Sequence, residues 1–412
     1  MGLTQVSTDG VKDDAIDASK LPANSVGASE LANNSVDTAA VADDAITQAK
    51  LNFPVANRNL IINGAMQVAQ RGTSSNTAGY QTVDRFRTQI NNGTLTQSQQ
   101  NLATSHTPYT LGFRKYMRIL NQSGIGAATN QYAQIDYKVE AQDLANSGWN
   151  FTSNTSKITL SFWVRASVTA KYFGWLLTND GTVRNHPFVI SDSNGSGTNL
   201  TANTWTKITK TFTGDSGITI NNDNGIGFQI SFVAYYGTDF TNSSVSTTSW
   251  NTFTSGGYSP DFPSTTWATT TNATFDITGV QLEIGSVATD FEHRLFAQEL
   301  ALCQRYCQKL GASNGTYDCM GTGNAIGSGF GFIAYRLLST MRSTPSFTLL
   351  GAASDFNYTR DGGDHAPTAI VLDQAGKNMV AVKMTGTSLN NDDAIRLFNM
   401  NTTGGYLFTA EL

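Results

Sequence analysis

The sequence predicts an all-β protein: an N-terminal repeat stalk of intertwined chains, an antiparallel, jelly-roll-like β-sandwich, a short linking helix and a C-terminal β domain. Three observations carry that expectation. An apolar residue recurs every five positions from Val6 to Leu51. Beyond it, short runs of alternating apolar and polar residues are separated by clusters of Asn, Gly, Ser and Asp. One segment, Arg294 to Leu310, has apolar residues at helical spacing and contains neither Gly nor Pro.

The repeat comes first in the chain. Its apolar positions are Val6, Val11, Ile16, Leu21, Val26, Leu31, Val36, Val41, Ile46 and Leu51. Asp14, Asn24, Asn34 and Asp44 stand two residues before alternate members, and Ser19, Ser29, Ala39 and Ala49 before the others. On a helix a five-residue step rotates about 140°, so no single apolar face forms. On a strand the same step changes face every time. The chain must therefore bend once per repeat, and Asp, Asn, Ser and Gly suit such bends. A single-chain solenoid would complete only about two coils, short of the roughly three stacked units that such arrays need. Several chains sharing one axis bury the series better, with Val11, Ile16, Leu21, Val26, Leu31, Val36, Val41 and Ile46 as the stalk core. A disordered polar linker is the alternative, set against ten aliphatic residues in unbroken register.

Pro54 closes the repeat, which sets the stalk at residues 1–56. The sandwich is placed at 57–293, the linking helix at 294–310 and the C-terminal β domain at 311–412. LIINGAMQVAQ reads as a hairpin turning at Asn63-Gly64. In KITLSFWVRAS, Ile158, Leu160, Phe162 and Val164 face one way, and Trp163 and Arg165 the other. GIGFQISFVAYYG repeats the alternation with Ile226, Phe228, Ile230 and Phe232. In TFDITGVQLEIG the apolar parity changes between Ile277 and Val280, which places a β-bulge at Thr278-Gly279. Gly311 stands where the helix should stop. Strands resume after it, ending with Tyr406, Phe408, Ala410 and Leu412 in alternation.

Charged residues make up only 14% of the 412, with a net charge of −5, so there is no basic footprint for nucleic acid. No apolar run is long enough for a membrane span, and MGLTQVSTDG lacks the features of a secretory signal. Cys303, Cys307 and Cys319 make an odd count with no histidine at metal-ligand spacing, so free thiols in a reducing cytoplasm are expected. His106, His186, His293 and His365 belong to no nucleophile or zinc motif. GTGNAIGSGFG lacks the Lys-Ser/Thr ending of a phosphate loop, and no cofactor motif is present. Asp192, Asn194 and Asp223 do not complete a calcium loop and read as turn formers.

Several phrases resemble a known family. NLIINGAMQVAQRGT with YQTVDRFR, LSFWVRASVTAKY, TANTWTKITKTFTG and ITGVQLEIGSVATDFEHRLFAQELALCQRYCQK look like segments of a β-sandwich module in bacteriophage tail-fibre and related receptor-binding proteins. DDAIDASKL and NNSVDTAAVADDAI resemble stalk repeats of the same proteins. The resemblance implies a homotrimeric virion protein, assembled in the host cytoplasm, with a carbohydrate-binding-module-like sandwich that meets a host surface glycan. Attachment, to the phage tail or to the capsid, would lie in the N-terminal segment, because the repeats begin almost at once. Nothing nominates the carboxylate pair of a glycosidase, Asp84 and Asp136 reading as surface groups, so no enzymatic activity is expected, with a polysaccharide depolymerase as the alternative.

Glycan binding calls for exposed aromatic faces beside Asn, Asp or Gln. Trp163 and Arg165 are candidates from the polar face of their strand, and Trp250, Tyr258 and Trp267 from a long irregular segment. Phe356 and Tyr358 are candidates in the C-terminal domain, near Asp361 and Asp364. For each, packing within its own domain or against a neighbouring chain is the competing role. Trp205 reads as core. Asp84-Arg85 and Glu292/Arg294 read as ion pairs that pin a strand end and the linking helix.

Overall fold

In the computed structural model, residues 57–91, 93–192, 198–260, 266–312, 317–387 and 389–412 are described. The five-residue repeat with its core positions, and Asn194, lie outside the described residues. The alternating runs form two six-stranded sheets in which every ladder is antiparallel.

Sheet one has the order β1 (Ser74–Ser75), β3 (Leu95–Asn101), β4 (Lys115–Asn121), β12 (Ala273–Ile284), β6 (Lys157–Ala166), β9 (Thr206–Thr213). Sheet two has the order β11 (Asn251–Thr252), β8 (Arg184–Ile190), β7 (Tyr172–Thr178), β10 (Ile226–Tyr236), β5 (Tyr132–Glu140), β2 (Phe86–Asn91). The predicted inward rows meet between them: Ile158, Leu160, Phe162 and Val164 share one core with Phe228, Ile230 and Phe232. Phe162 and Phe232 join the sheets edge to face, 4.8 Å between ring centres. Burying each such aromatic side chain contributes about 1.5–3 kcal/mol. The bulge in β12 falls where parity predicts it, between Thr278 and Gln281, with Gly279 at φ +63°.

Two sequence expectations need correction. Asn63-Gly64 makes a turn, with Asn63 at φ +63°, but its flanks do not pair as a hairpin. The Asn63 side chain takes the place of a partner strand: its amide donates to the carbonyls of Val68 (2.8 Å) and Asp84 (2.9 Å), and its oxygen accepts from Val68 N (2.9 Å). The segment then lies on β12 through Leu60 N to Leu282 O and Val280 N to Gly64 O. A Cβ on Gly64 would fall 2.1 Å from the Val280 carbonyl, so glycine is required there.

The helix, expected over 294–310, spans only Phe296–Gln304. Cys307–Gly311 (β13) is a strand, because a five-residue ladder with Gly405–Thr409 outcompetes another helical turn. Gly311, at φ +63°, ends that strand and not the helix. All three cysteines are free; Cys303 and Cys307 are buried, and burial pushes both thiols well up.

The remaining strands form a three-stranded and a seven-stranded sheet around a second core that includes Tyr358, Val382, Leu397, Tyr406 and Phe408. Both cores belong to one compact unit. An ionic seam joins them. Arg85 reaches Glu411 at 2.7 Å and covers the Tyr306 ring at 3.5 Å. Arg305 pairs with Glu140 at 2.6 Å, the Tyr306 hydroxyl donates to the same carboxylate, and Lys138 Nζ donates to Leu412 O. Glu292 accepts from the amides of Asn57 and Asn59, while Arg294 donates to Ile61 O. Glu292 and Arg294 lie 3.6 Å apart as expected, but Asp84 and Arg85 do not pair with each other: Asp84 lies 3.8 Å from Arg71 and Arg85 pairs with Glu411.

Candidate functional site

The outer face of sheet two carries an unusual density of aromatic and amide side chains. Register explains which residues meet there. Asp136 on β5 lies opposite Ser231 on β10, and Ser231 opposite Trp175 on β7. One step along, Gln134 faces Gln89 of β2, and in the other direction Gln229 of β10 faces Leu177 of β7. A register shift between Val233 and Tyr235 lets Tyr236 join this outer row while Tyr235 packs in the core. The chain after β10 then folds over one side of the face, adding Phe240 and Tyr258.

The result is a cleft of about 250 Å³ lined by Gln89, Tyr132, Gln134, Trp175, Gln229 and the three rings Tyr236, Phe240 and Tyr258. Its floor is fixed by a relay. Trp175 Nε1 donates to the Tyr236 oxygen at 2.8 Å, and the Tyr236 hydroxyl donates to Gln134 Oε1. Gln134 Nε2 donates to Asp136 at 2.8 Å, and the same carboxylate accepts from Gln89 Nε2 and Ser231 Oγ. Burial pushes the Asp136 carboxyl above its ordinary value, while the Ser231 and Gln89 bonds oppose that shift. Burial likewise pushes the Tyr236 phenol well up, so it stays protonated as a donor.

The rings brace one another. Tyr132 meets Phe240 at 5.1 Å, Trp175 meets Tyr258 at 5.3 Å, and Phe253 backs Tyr258 at 4.8 Å. Trp175 and Tyr236 are almost wholly enclosed, whereas Tyr132, Phe240 and Tyr258 keep part of their surface open. Among the described residues, the side chains of Gln229, Tyr132 and Tyr258 make no hydrogen bond of their own. The cleft therefore offers ring surface, an amide and two phenols on a rigid floor. That set can stack on a flat apolar face and bond its polar edge.

Of the residues singled out from sequence, Tyr258 stands in this cleft. Trp163 lines a different pocket, on sheet one. Arg165 lines neither; it is held by Asp276 at 2.8 Å and stacks on Trp205 at 4.9 Å. Trp250 and Trp267 are core residues whose indole N–H groups donate to Thr213 O and Thr274 O. Phe356 and Tyr358 are fully buried in the second core. These four offer no open ring face: Trp250 and Trp267 pack into the sandwich core, and Phe356 and Tyr358 lie on a strand that turns both rings into the second core. Asp84 and Asp136 are both buried and have separate partners. Among the described residues, no group of three His, Cys, Asp or Glu side chains is placed to hold a metal ion.

No protein-family profile and no curated protein matches this chain. Solved structures show partial backbone similarity. Tailspike protein 4 of bacteriophage CBA120, in its enzymatically active domain, is 10% identical with a TM-score of 0.28; the match covers 55% of this chain and 21% of that one. The N-terminal cellulose-binding domain of Cellulomonas fimi β-1,4-glucanase C is 11% identical with a TM-score of 0.24, over 54% of this chain and 99% of that one. The tripod from the baseplate of bacteriophage Tuc2009 is 10% identical with a TM-score of 0.22, over 84% and 90%. This chain thus spans about a fifth of the tailspike structure. Similarity this low leaves the functional reading to the geometry of the cleft.

Proposed function

We propose that the protein is a glycan-binding fibre component of a bacteriophage virion, and that the sheet-two cleft is where it meets the host surface. The observation that carries this reading is the cleft itself: partly open Tyr132, Phe240 and Tyr258 rings set beside the unengaged Gln229 amide, over a floor locked by Trp175, Tyr236 and Gln134. Pyranose rings carry C–H-rich faces that stack on such surfaces and hydroxyl edges that bond such amides. The floor is pre-ordered, so little conformational entropy is lost on binding.

The role is adhesion without catalysis. Asp136, beneath the cleft floor, is wholly buried and bonded to Gln89, Gln134 and Ser231, which leaves it unsuited to attack or proton transfer. A reducing-end assay on host polysaccharide incubated with the protein tests this; release of oligosaccharides would refute it.

The phage placement is supported by the sequence phrases described above. The five-residue repeat supports several chains wound together, and the resemblance to fibre proteins implies three, in which case three weak sugar sites gain effective concentration by linkage. A glycan array probed with the full chain tests the adhesive role, and sedimentation at about three times the 44.2 kDa chain mass tests the assembly. Absence of any glycan signal, or a clean monomer, would count against the respective reading.

A further inference from the structure

A second pocket opens on the outer face of sheet one, built on the bulge of β12. Trp163 of β6 lies opposite Lys207 of β9 on one side and Thr278 of β12 on the other, and Ser161 lies opposite Gln281. Between Thr278 and Gln281 the ladder is interrupted, and Gly279 takes φ +63°. A Cβ there would fall 2.8 Å from Phe113 and 3.1 Å from Trp163. The bulge thus places a bare backbone patch against the Trp163 indole and the Phe113 ring, at the lining of a pocket.

Two loops wall that space. Phe113, Phe291 and His293 form a ring cluster with centres 4.8 to 5.0 Å apart, and His293 Nε2 lies 2.9 Å from Leu111 O, tying the loops together. The cavity holds about 260 Å³ and is lined by Ser161, Trp163, Lys207 and Asp290 as well as by those rings. The Ser161 hydroxyl, the Lys207 ammonium and the Asp290 carboxylate make no hydrogen bond or ion pair among the described residues. Trp163 is only half-buried.

We propose that this pocket is a second carbohydrate site, separate from the sheet-two cleft, that takes one neutral hexopyranose end-on. The chemistry points that way at each wall. The indole offers a flat face for sugar C–H groups. Asp290 accepts from hydroxyls, Lys207 donates to them and Ser161 does both. The opposite charges of Lys207 and Asp290 sit in one small cavity, and an acidic sugar would meet the Asp290 carboxylate. The Phe113, Phe291 and His293 rings wall one side of the cavity, which favours one terminal ring over a continuing chain.

This site stands on its own residues, so its test is separable from that of the cleft. Saturation-transfer NMR on the full chain uses the methyl glycosides of glucose, galactose, mannose and N-acetylglucosamine as probes. At least one binds the unmodified protein, and Trp163→Ala weakens it by about tenfold or more. Trp163→Phe recovers part of the signal, and Lys207→Ala, a surface change that leaves the core intact, weakens binding in the same direction. Tyr258→Ala leaves methyl-glycoside binding unchanged. No binding of any glycoside, or equal binding by unmodified protein and by Trp163→Ala and Lys207→Ala, overturns the proposal. Loss of oligosaccharide binding in Tyr258→Ala belongs to the cleft and is read independently.

Discussion

Trp175 Nε1 donates to the phenolic oxygen of Tyr236 across 2.8 Å, and both groups are buried beneath the sheet-two cleft. The two residues come from adjacent strands, and the register shift in β10 is what brings the phenol to the indole. The bond is part of a relay that ends on Asp136, so the cleft floor is specified by hydrogen bonds as well as by packing.

Tyr236→Phe removes the middle of that relay and strands the Trp175 N–H and Gln134 Oε1. Leaving buried polar groups unpaired costs about 1–3 kcal/mol. Urea unfolding followed by tryptophan fluorescence should show the midpoint falling with unchanged slope. An unchanged midpoint would show that the relay is not structural.

Arg85 serves the sandwich and the C-terminal sheets together, through Glu411 and the Tyr306 ring. Arg85→Ala leaves Glu411 short of one cation and opens space over Tyr306. Breaking a buried pair on one side costs about 3–5 kcal/mol. A double-mutant cycle with Glu411→Gln, read by thermal unfolding, should give strong coupling; additive effects would mean that the two do not act as a pair.

Asp84 gives the protein a pH signature. Burial lifts its carboxyl to about 6, against the pull of Arg71 and a bond from Gln70. The folded state therefore holds the proton more tightly than the unfolded state. The stability from this group is fully present below about pH 4 and is lost as pH rises through 6. Burial lifts Asp136 and Glu299 with the same sign, while Arg305 and Tyr306 hold Glu140 down against its own burial. Asp84→Asn should remove a decline on the order of 3 kcal/mol between pH 4 and 7, seen as converging or crossing stability curves. Parallel curves for the variant and the unmodified protein would contradict it.

Much of the sandwich is legible in the sequence, because half-buried strands declare their faces. The parity change around Gly279 marks the bulge in the sequence itself, since a single inserted step must flip every later side chain. The cleft was legible only at Tyr258. YFGWLLT is buried along all seven residues, so alternation gives no hint that Trp175 points away from the core. Gln134 and Tyr236 are placed by a register shift that composition does not encode. The helix ends sooner than its periodicity predicts because the partner of Cys307–Gly311 lies at Gly405–Thr409, far along the chain and invisible to local periodicity. Phe356 and Tyr358 look like loop aromatics in sequence, yet strand pairing with Ala394–Asn399 turns both inward.

The central claim is that the open rings of the sheet-two cleft bind glycan. Tyr258 is its most direct probe, because its ring is half-open and its hydroxyl makes no hydrogen bond among the described residues. The deciding measurement is isothermal titration of the full chain and of Tyr258→Ala with the oligosaccharide that gives the strongest array signal, alongside far-ultraviolet circular dichroism to confirm the fold. The account predicts an affinity loss of about tenfold or more in the variant with an unchanged β-sheet spectrum. Equal affinity in the two folded proteins would contradict it.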